Sequence, residues 1–349
     1  MSIVCRPLDA ANAPAWDAFV DATPTGTFFH RAAWAQVFAR AFGHTPYHVL
    51  AEQDGAVVGV LPLVHVKCWL FGNSLMSSPF CVYGGPLVAT ADAAAALDAF
   101  AAGLMQRSGA RATEFRLLHP MPQGWMTEAE WPTRSDLYVT FRKPIVADDD
   151  ANMKAIPRKQ RAMVRKGIDR GLTSTATDKV DGLHAIYAES VRNLGTPVFS
   201  RRYFRILAQV FRGRMDVITV LDAGVPVSAV LNFYDRDEVL PYYGGGTAAA
   251  RSSHANDFMY WEVMRRAAAR GSRLFDFGRS KAGTGAFAFK KNWGFLPEPL
   301  QYRYRLAPGA RIPDHNPLNP KYRLFIAAWK RLPLPLANLV GPYVVRGIG

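Results

Sequence analysis

The sequence predicts an α/β protein assembled from two copies of one unit. Short apolar runs that read as strands alternate with stretches of helical spacing, and a Tyr-Gly-Gly segment occurs twice. Tyr83 stands 32 positions before Phe115, and Tyr243 stands 32 before Phe275; each interval holds the glycines, a helix, a stopping glycine and a strand. At 349 residues and 49% hydrophobic content, the chain is long enough for two cores.

In chain order, 14–20 and 31–42 have helical spacing, the second with Trp34, Val37, Phe38 and Phe42 on one side. Residues 47–51 and 57–66 read as strands around a turn at Asp54 and Gly55. An alanine-rich helix over 92–107 is stopped by Gly109, and a strand follows at 112–118. The acidic run Asp148 to Asp150 marks a boundary near 150. Beyond it, 152–172 reads as one basic helix, with Pro157 suited to a first turn and Gly171 to an end. Strands at 215–221 and 227–234 flank a turn at Ala223 and Gly224. A strand at 239–243 then runs into Gly244, Gly245 and Gly246, a helix covers 256–270 up to Gly271, and a buried strand starts at Leu274.

Charge is unevenly placed. Residues 1–150 carry 10 Lys and Arg against 14 Asp and Glu; residues 151–349 carry 32 against 14. The second part is therefore expected to meet an anionic partner: a phosphorylated small molecule, a lipid-linked precursor, a nucleic acid such as tRNA, or a membrane surface. Cys5, Cys68 and Cys81 form no CxxC pair, and the eight histidines are scattered, so neither a disulfide framework nor a metal site is expected. A serine-nucleophile elbow is missing too. No charged leader precedes an apolar run and no stretch has the length of a spanning helix, which points to the cytoplasm. Over 321–345, Lys321, Arg323, Lys330 and Arg331 border an apolar run in an amphipathic tail, suited to peripheral contact with an anionic inner membrane.

The stretch 273–304 gathers most of the candidate chemistry. Asp276 lies in an apolar strand on the face opposite Phe275 and Phe277; burial there raises a carboxylate's pKa and suits a base or an orienting group. Gly278, Gly283 and Gly285 with Arg279 and Lys281 form a permissive basic loop, and Lys290 and Lys291 follow among aromatics. On the basic helix, Lys154, Arg158, Arg161 and Arg165 share one face fit for phosphate groups. Gly245 and Gly246, before a helix, offer N–H groups to an oxyanion or pyrophosphate, and Tyr243 is placed to protonate a leaving group.

The segment 241–246, the helix with Asn256, Asp257, Tyr260 and Trp261, and FDFGRSKAGTGAFAFKKNWGF together resemble the Fem-type (FemAB) branch of the GNAT-like acyltransferases, nearest to members associated with exosortase and PEP-CTERM protein sorting. The likeness extends to TFFHRAAWAQVFARAFGH, VGVLPLVHVKCWLFGNSL and RLFIAAWKRLPLPLANLV. It implies tandem GNAT-like domains at 1–150 and 173–306, the second catalytic, with the basic helix at 151–172 between them and the tail at 307–349. It also implies acyl or aminoacyl transfer from acyl-CoA or aminoacyl-tRNA to an amine on a peptidoglycan-type or exopolysaccharide precursor of the cell envelope, with no tightly bound cofactor. Lys290 corresponds to the lysine of the Fem-type Phe-Lys motif, with Lys291 beside it, and Arg158, Arg161 and Arg165 would face an anionic donor or substrate. The long helical arm that some Fem enzymes turn toward tRNA is lacking. A non-catalytic scaffold that holds an envelope precursor is the rival expectation.

Overall fold

The structure, a computed structural model, describes residues 2–68, 72–121, 125–312 and 320–347, the last of these without side chains over 320–323. The first elements are β1 (Val4–Pro7), α1 (Ala13–Ala22), α2 (Trp34–Val37), β2 (Thr45–Pro46), β3 (Val49–Gln53), β4 (Ala56–Leu61), β5 (Leu63–Cys68) and β6 (Gly72–Ser77). Next come β7 (Leu87–Val88), α3 (Ala91–Ser108), β8 (Ala112–Leu117), β9 (Thr133–Arg134), β10 (Tyr138–Pro144), α4 (Asp149–Ala155), α5 (Arg158–Asp169) and β11 (Thr173–Thr177). Then follow α6 (Asp181–Leu194), α7 (Arg201–Val210), β12 (Met215–Asp222), β13 (Val225–Asp235), β14 (Glu238–Gly246), α8 (Ala249–Ser252) and α9 (Ala255–Ala269). The chain continues through β15 (Leu274–Asp276), β16 (Ser280–Lys281), α10 (Gly285–Asn292), β17 (Pro297–Pro299), β18 (Gln301–Leu306), α11 (Pro320–Arg331) and α12 (Leu334–Val345).

Two compact units result, and each is discontinuous in sequence. Unit 1 comprises Met1–Leu137, Leu300–His315 and Arg346–Gly349; unit 2 comprises Tyr138–Pro299 and Asn316–Val345. The boundaries expected near 150 and 306 move accordingly: β10 belongs to unit 2, and β18 belongs to unit 1. The expected single basic helix is two, α4 and α5. Proline disfavours the α conformation in the residue before it, and Ile156 is extended at ψ 131°. The tail is also two helices, and the side chains of Lys321 and Arg323 lie outside those described.

In unit 1, one sheet has the order β1-β3-β4-β7 and another β2-β5-β6-β8-β18-β9. The turn joining β3 to β4 has both central residues at positive φ, Asp54 at 52° and Gly55 at 80°, the backbone that a two-residue hairpin requires. Thr90 caps α3 by accepting from Ala93 N–H at 3.2 Å, and Gly109 ends the helix at φ 63°. Leu97, Ala101 and Leu104 of α3 pack with Val49, Leu61 and Phe115 in its core.

Unit 2 is a mostly antiparallel sheet in the order β11-β12-β13-β14-β15-β10-β16, with β17 on β10. The β14–β15 pair is parallel, bridged by α9, as β6 and β8 of unit 1 are parallel and bridged by α3. This shared crossover is the duplication that the two 32-residue intervals announce. One face of the sheet is covered by α9, which buries Phe258, Val263 and Met264 against Ile218, Val230, Val239 and Phe275. Helix α5 packs on α9, with Gly167 so near that a Cβ there would lie 2.9 Å from Phe258 Cβ. Helix α6 covers the opposite face.

Candidate functional site

The site forms where β14 outruns its parallel partner. Glu238 and Val239 pair with Leu274 and Phe275, after which β15 ends at Asp276 while β14 continues to Gly246. Successive residues of a strand direct their N–H groups to opposite edges. Thr247 N–H donates to Val227 O of β13 at 2.9 Å, so the N–H groups of Gly246 and Gly244 point to the edge that β15 has vacated. A cavity of about 580 Å³ opens there, lined by Gly244 to Ala248, Ser190, Asn193 and Leu194 of α6, Arg251, Asn256, Met259 and Tyr260, Phe277, and Ala286, Phe289 and Lys290 of α10.

Glycine is required at two of these positions by close approach. A Cβ at Gly245 would meet Ser190 Cβ at 2.5 Å, and one at Gly246 would meet Ala250 Cβ and Asn256 Oδ1, both at 2.6 Å. Their absence brings bare backbone to the cavity wall.

Lys290 lines the cavity and donates through Nζ to Gly278 O and Arg279 O, each at 3.0 Å. Burial lowers its pKa from 10.5 to about 7, with Asp276 opposing the shift and Arg279 adding to it. A neutral amine is thus available near pH 7. Tyr260 also lines the cavity; burial raises its pKa to about 12, so its hydroxyl keeps its proton. The site of a Cβ on Gly244 would be 3.3 Å from that hydroxyl, so it sits against the α9 face of β14 at the glycines. Asn256 lines the same cavity, and its buried Oδ1 has no hydrogen-bond partner among the described residues.

Asp276 is 1% exposed. Its Oδ1 accepts from Gly278 N–H at 2.7 Å, and its Oδ2 lies 3.4 Å from Arg142 Nε, whose guanidinium also binds Glu238. Burial raises the Glu238 carboxyl to about 7 against the opposing pull of Arg142. Asp276 therefore shapes the loop whose carbonyls hold Lys290; it is not among the residues that line the cavity.

The other expected residues separate. Gly245 and Gly246 reach the cavity, and Lys291 is exposed beyond it. Arg279 and Lys281 stack on Tyr138, 4.7 and 5.1 Å from the ring centroid. Arg158 and Arg165 are exposed on α5 and Arg161 is half-buried there; none of the three lines the cavity. Tyr243 is a correction. It is buried at 5%, its hydroxyl lies 2.7 Å from that of Tyr203, and its ring packs edge-on against Tyr187 and Phe204, on the α6 side of the sheet. Tyr260, not Tyr243, is the tyrosine among the residues that line the cavity. The sequence alone assigns no role to Asn256, Tyr260 or Ser190; helical spacing four residues apart, as in Asn256 and Tyr260, is the signal that places two of them on one face.

A second cavity, of about 370 Å³ in unit 1, has Asp92, Asp98 and Glu130 among its lining residues and no cationic side chain. No glycine is among its lining residues. Among the described residues, no three of His, Cys, Asp and Glu cluster as metal ligands would.

A parallel pair in which one strand outruns the other, glycine backbone at the opening and a helix crossing between the two strands fit a GNAT-type acyltransferase fold, here in tandem. A family model described as an acetyltransferase (GNAT) domain matches residues 153–291. Among solved structures the chain is similar to FemX, with a TM-score of 0.68 at 16% identity, over 87% of this chain and 97% of that one. It is similar also to the C-terminal domain of a putative lysylphosphatidylglycerol synthetase from Agrobacterium fabrum (TM-score 0.57, 12% identity, 86% and 93% covered). A third is a tandem GNAT protein from the clavulanic acid biosynthesis pathway (0.56, 14%, 89% and 100%). At these identities the likeness is one of fold. None of the curated proteins matches the chain.

Proposed function

We propose that the chain is an N-acyltransferase that moves an acyl or aminoacyl group from acyl-CoA or aminoacyl-tRNA to a primary amine of a cell-envelope precursor, in the manner of the Fem-type proteins it resembles. The observation that carries this reading is Lys290, an amine of pKa about 7 held at a cavity into which two glycine N–H groups open.

In the proposed reaction the acceptor amine attacks the carbonyl carbon of the donor, and the carbonyl oxygen becomes an oxyanion. Gly244 and Gly246 N–H groups stabilise it as fixed donors already aimed at the opening. Neutral Lys290 accepts the proton that the attacking nitrogen must lose. As the tetrahedral intermediate collapses, the carbon–sulfur or carbon–oxygen bond breaks, and Tyr260 supplies the proton to the thiolate or alkoxide that leaves. Proton return from Lys290 to Tyr260 completes the cycle. Asn256 Oδ1 is suited to accept from an N–H of donor or acceptor. Arg251, exposed at the rim, suits an anionic donor such as the phosphates of CoA or the tRNA backbone. The precursor that accepts the group is of the peptidoglycan or exopolysaccharide type, the latter in keeping with the PEP-CTERM branch of the resemblance.

The test is amide formation, read by mass spectrometry, with acyl-CoA thioesters and charged tRNA as donors and amine-bearing envelope precursors as acceptors. Product is expected with the native chain, at a rate that rises with pH through about 7 as Lys290 loses its proton. Lys290→Met is expected to lose about 10²-fold or more. Equal product from both chains, or none from either with any donor, would refute the proposal.

A further inference from the structure

The two last helices present their apolar side chains in the reverse of the usual sense. In α12, the buried residues are the small Ala337 and Gly341 together with Val345, at intervals of four. Gly341 packs so tightly that a Cβ would lie 2.9 Å from Val198 N. The larger residues Leu336, Leu339, Val340 and Tyr343, at helical spacing on the other side, are 49%, 65%, 43% and 76% exposed. In α11, Trp329 is buried while Leu324 is 83% exposed and Phe325 41%. Water normally drives such side chains inward at roughly 25 cal/mol per Å². A tail that merely covered its own core would turn them toward α6.

Charge identifies the occupant. The 27 residues from 320 to 346 carry Lys321, Arg323, Lys330, Arg331 and Arg346 and no Asp or Glu. Lys330, Arg331 and Arg346 are exposed. A second copy meeting this face through two-fold symmetry would set these cations against their own kind, which disfavours self-association. No described helix is long and apolar enough to cross a membrane, and α12, with 12 residues, measures roughly 18 Å against a hydrocarbon core of roughly 30 Å. Contact in the plane of an anionic surface is the arrangement that satisfies both the apolar stripe and the cations.

We propose that the outward face of α11 and α12 seats the protein on an anionic lipid bilayer. The cavity lies alongside: Leu194 lines it, while the next residue, Gly195, packs against Ile326 and Lys330 of α11. Arg192 reinforces the joint by donating to Lys330 O at 3.0 Å. The proposal stands without the acyl-transfer reading, since its readout is binding alone.

The experiment is co-sedimentation of the intact chain with phosphatidylcholine vesicles, pure or containing phosphatidylglycerol. Native protein is expected to pellet with the anionic vesicles, and less so as salt is added. The double substitution Leu339→Glu with Tyr343→Glu is expected to weaken binding about tenfold or more. Lys330→Glu with Arg331→Glu is expected to weaken it about fivefold for each cation. Thermal melting of both variants checks that they remain folded. Native protein left in the supernatant with both vesicle types would overturn the proposal, as would binding that survives both substitutions in folded protein. So would a lipid-free dimer that the Leu339→Glu, Tyr343→Glu variant dissolves.

Discussion

Replacing Lys290 by methionine removes a charge that the fold disfavours, and the sign of the effect depends on pH. Burial takes the folded pKa to about 7 from an ordinary value of 10.5. At about 1.4 kcal/mol per unit, the buried ammonium costs the folded state up to about 5 kcal/mol. Below pH 7 both states are protonated and the cost is full. Between 7 and 10.5 the folded state has released its proton while the unfolded chain still holds one, so native stability rises by about 1.4 kcal/mol per pH unit. Methionine avoids the cost but leaves Gly278 O and Arg279 O without their donor, a loss of about 2 to 3 kcal/mol. The variant should therefore be more stable than the native chain by about 2 kcal/mol at pH 6, equal to it near about pH 9, and less stable above that. Urea denaturation of both chains across this range measures the difference directly. A difference that stays flat with pH would mean that Lys290 titrates alike folded and unfolded, and the argument for a neutral amine at the cavity would fail with it.

Gly245→Ala should destabilise unit 2 by about 1 to 3 kcal/mol, because its Cβ would fall 2.5 Å from Ser190 Cβ. Adding Ser190→Gly leaves Tyr187 Cα at 3.6 Å as the nearest of the atoms it would meet, so the double variant should recover most of the loss in a denaturant melt. Asp276→Asn withdraws the charge that favours the protonated form of Lys290, so the rising limb of the transfer rate should move to lower pH. An unmoved limb would separate the two residues. Tyr243→Phe removes one hydroxyl contact with Tyr203, costing about 1 kcal/mol of stability and leaving transfer intact. Tyr260→Phe should lower transfer about 10²-fold without weakening donor binding.

Much of the local structure is legible in the sequence because local chemistry decides it. Asp54 with Gly55 and Ala223 with Gly224 both adopt the paired positive φ of tight hairpins, 52° and 80° in one, 50° and 81° in the other. Gly109 and Gly271 close α3 and α9 where their positions suggest. Tyr243 departs from expectation for a reason of counting. Strict alternation from Val239 puts it on the α9 face, but Leu231 pairs with Tyr243 while Asn232 pairs with Pro241. The extra residue, Tyr242, is a bulge that turns Tyr243 to the α6 side. The same shift delivers Gly244 and Gly246 to the α9 face, beside Tyr260 and Asn256. A bulge leaves no mark in hydrophobic pattern. The shift at Lys290 is equally hidden, since it arises from burial of the ammonium and the nearby Arg279 charge, which only the folded arrangement creates.

Because β8 takes β18 as its neighbour, Leu117 waits for Gln301. A nascent chain leaving the ribosome must bring out all of the sequence between them before the larger sheet of unit 1 is complete. Until then β8 lacks that neighbour, and an open strand edge invites intermolecular pairing. Unit 2 has a similar wait, because β10 pairs with β15 and β17 from the far end of its sequence. Maturation of the first-made residues thus comes late, and truncating the chain after residue 150 would strand an incomplete sheet instead of isolating a domain.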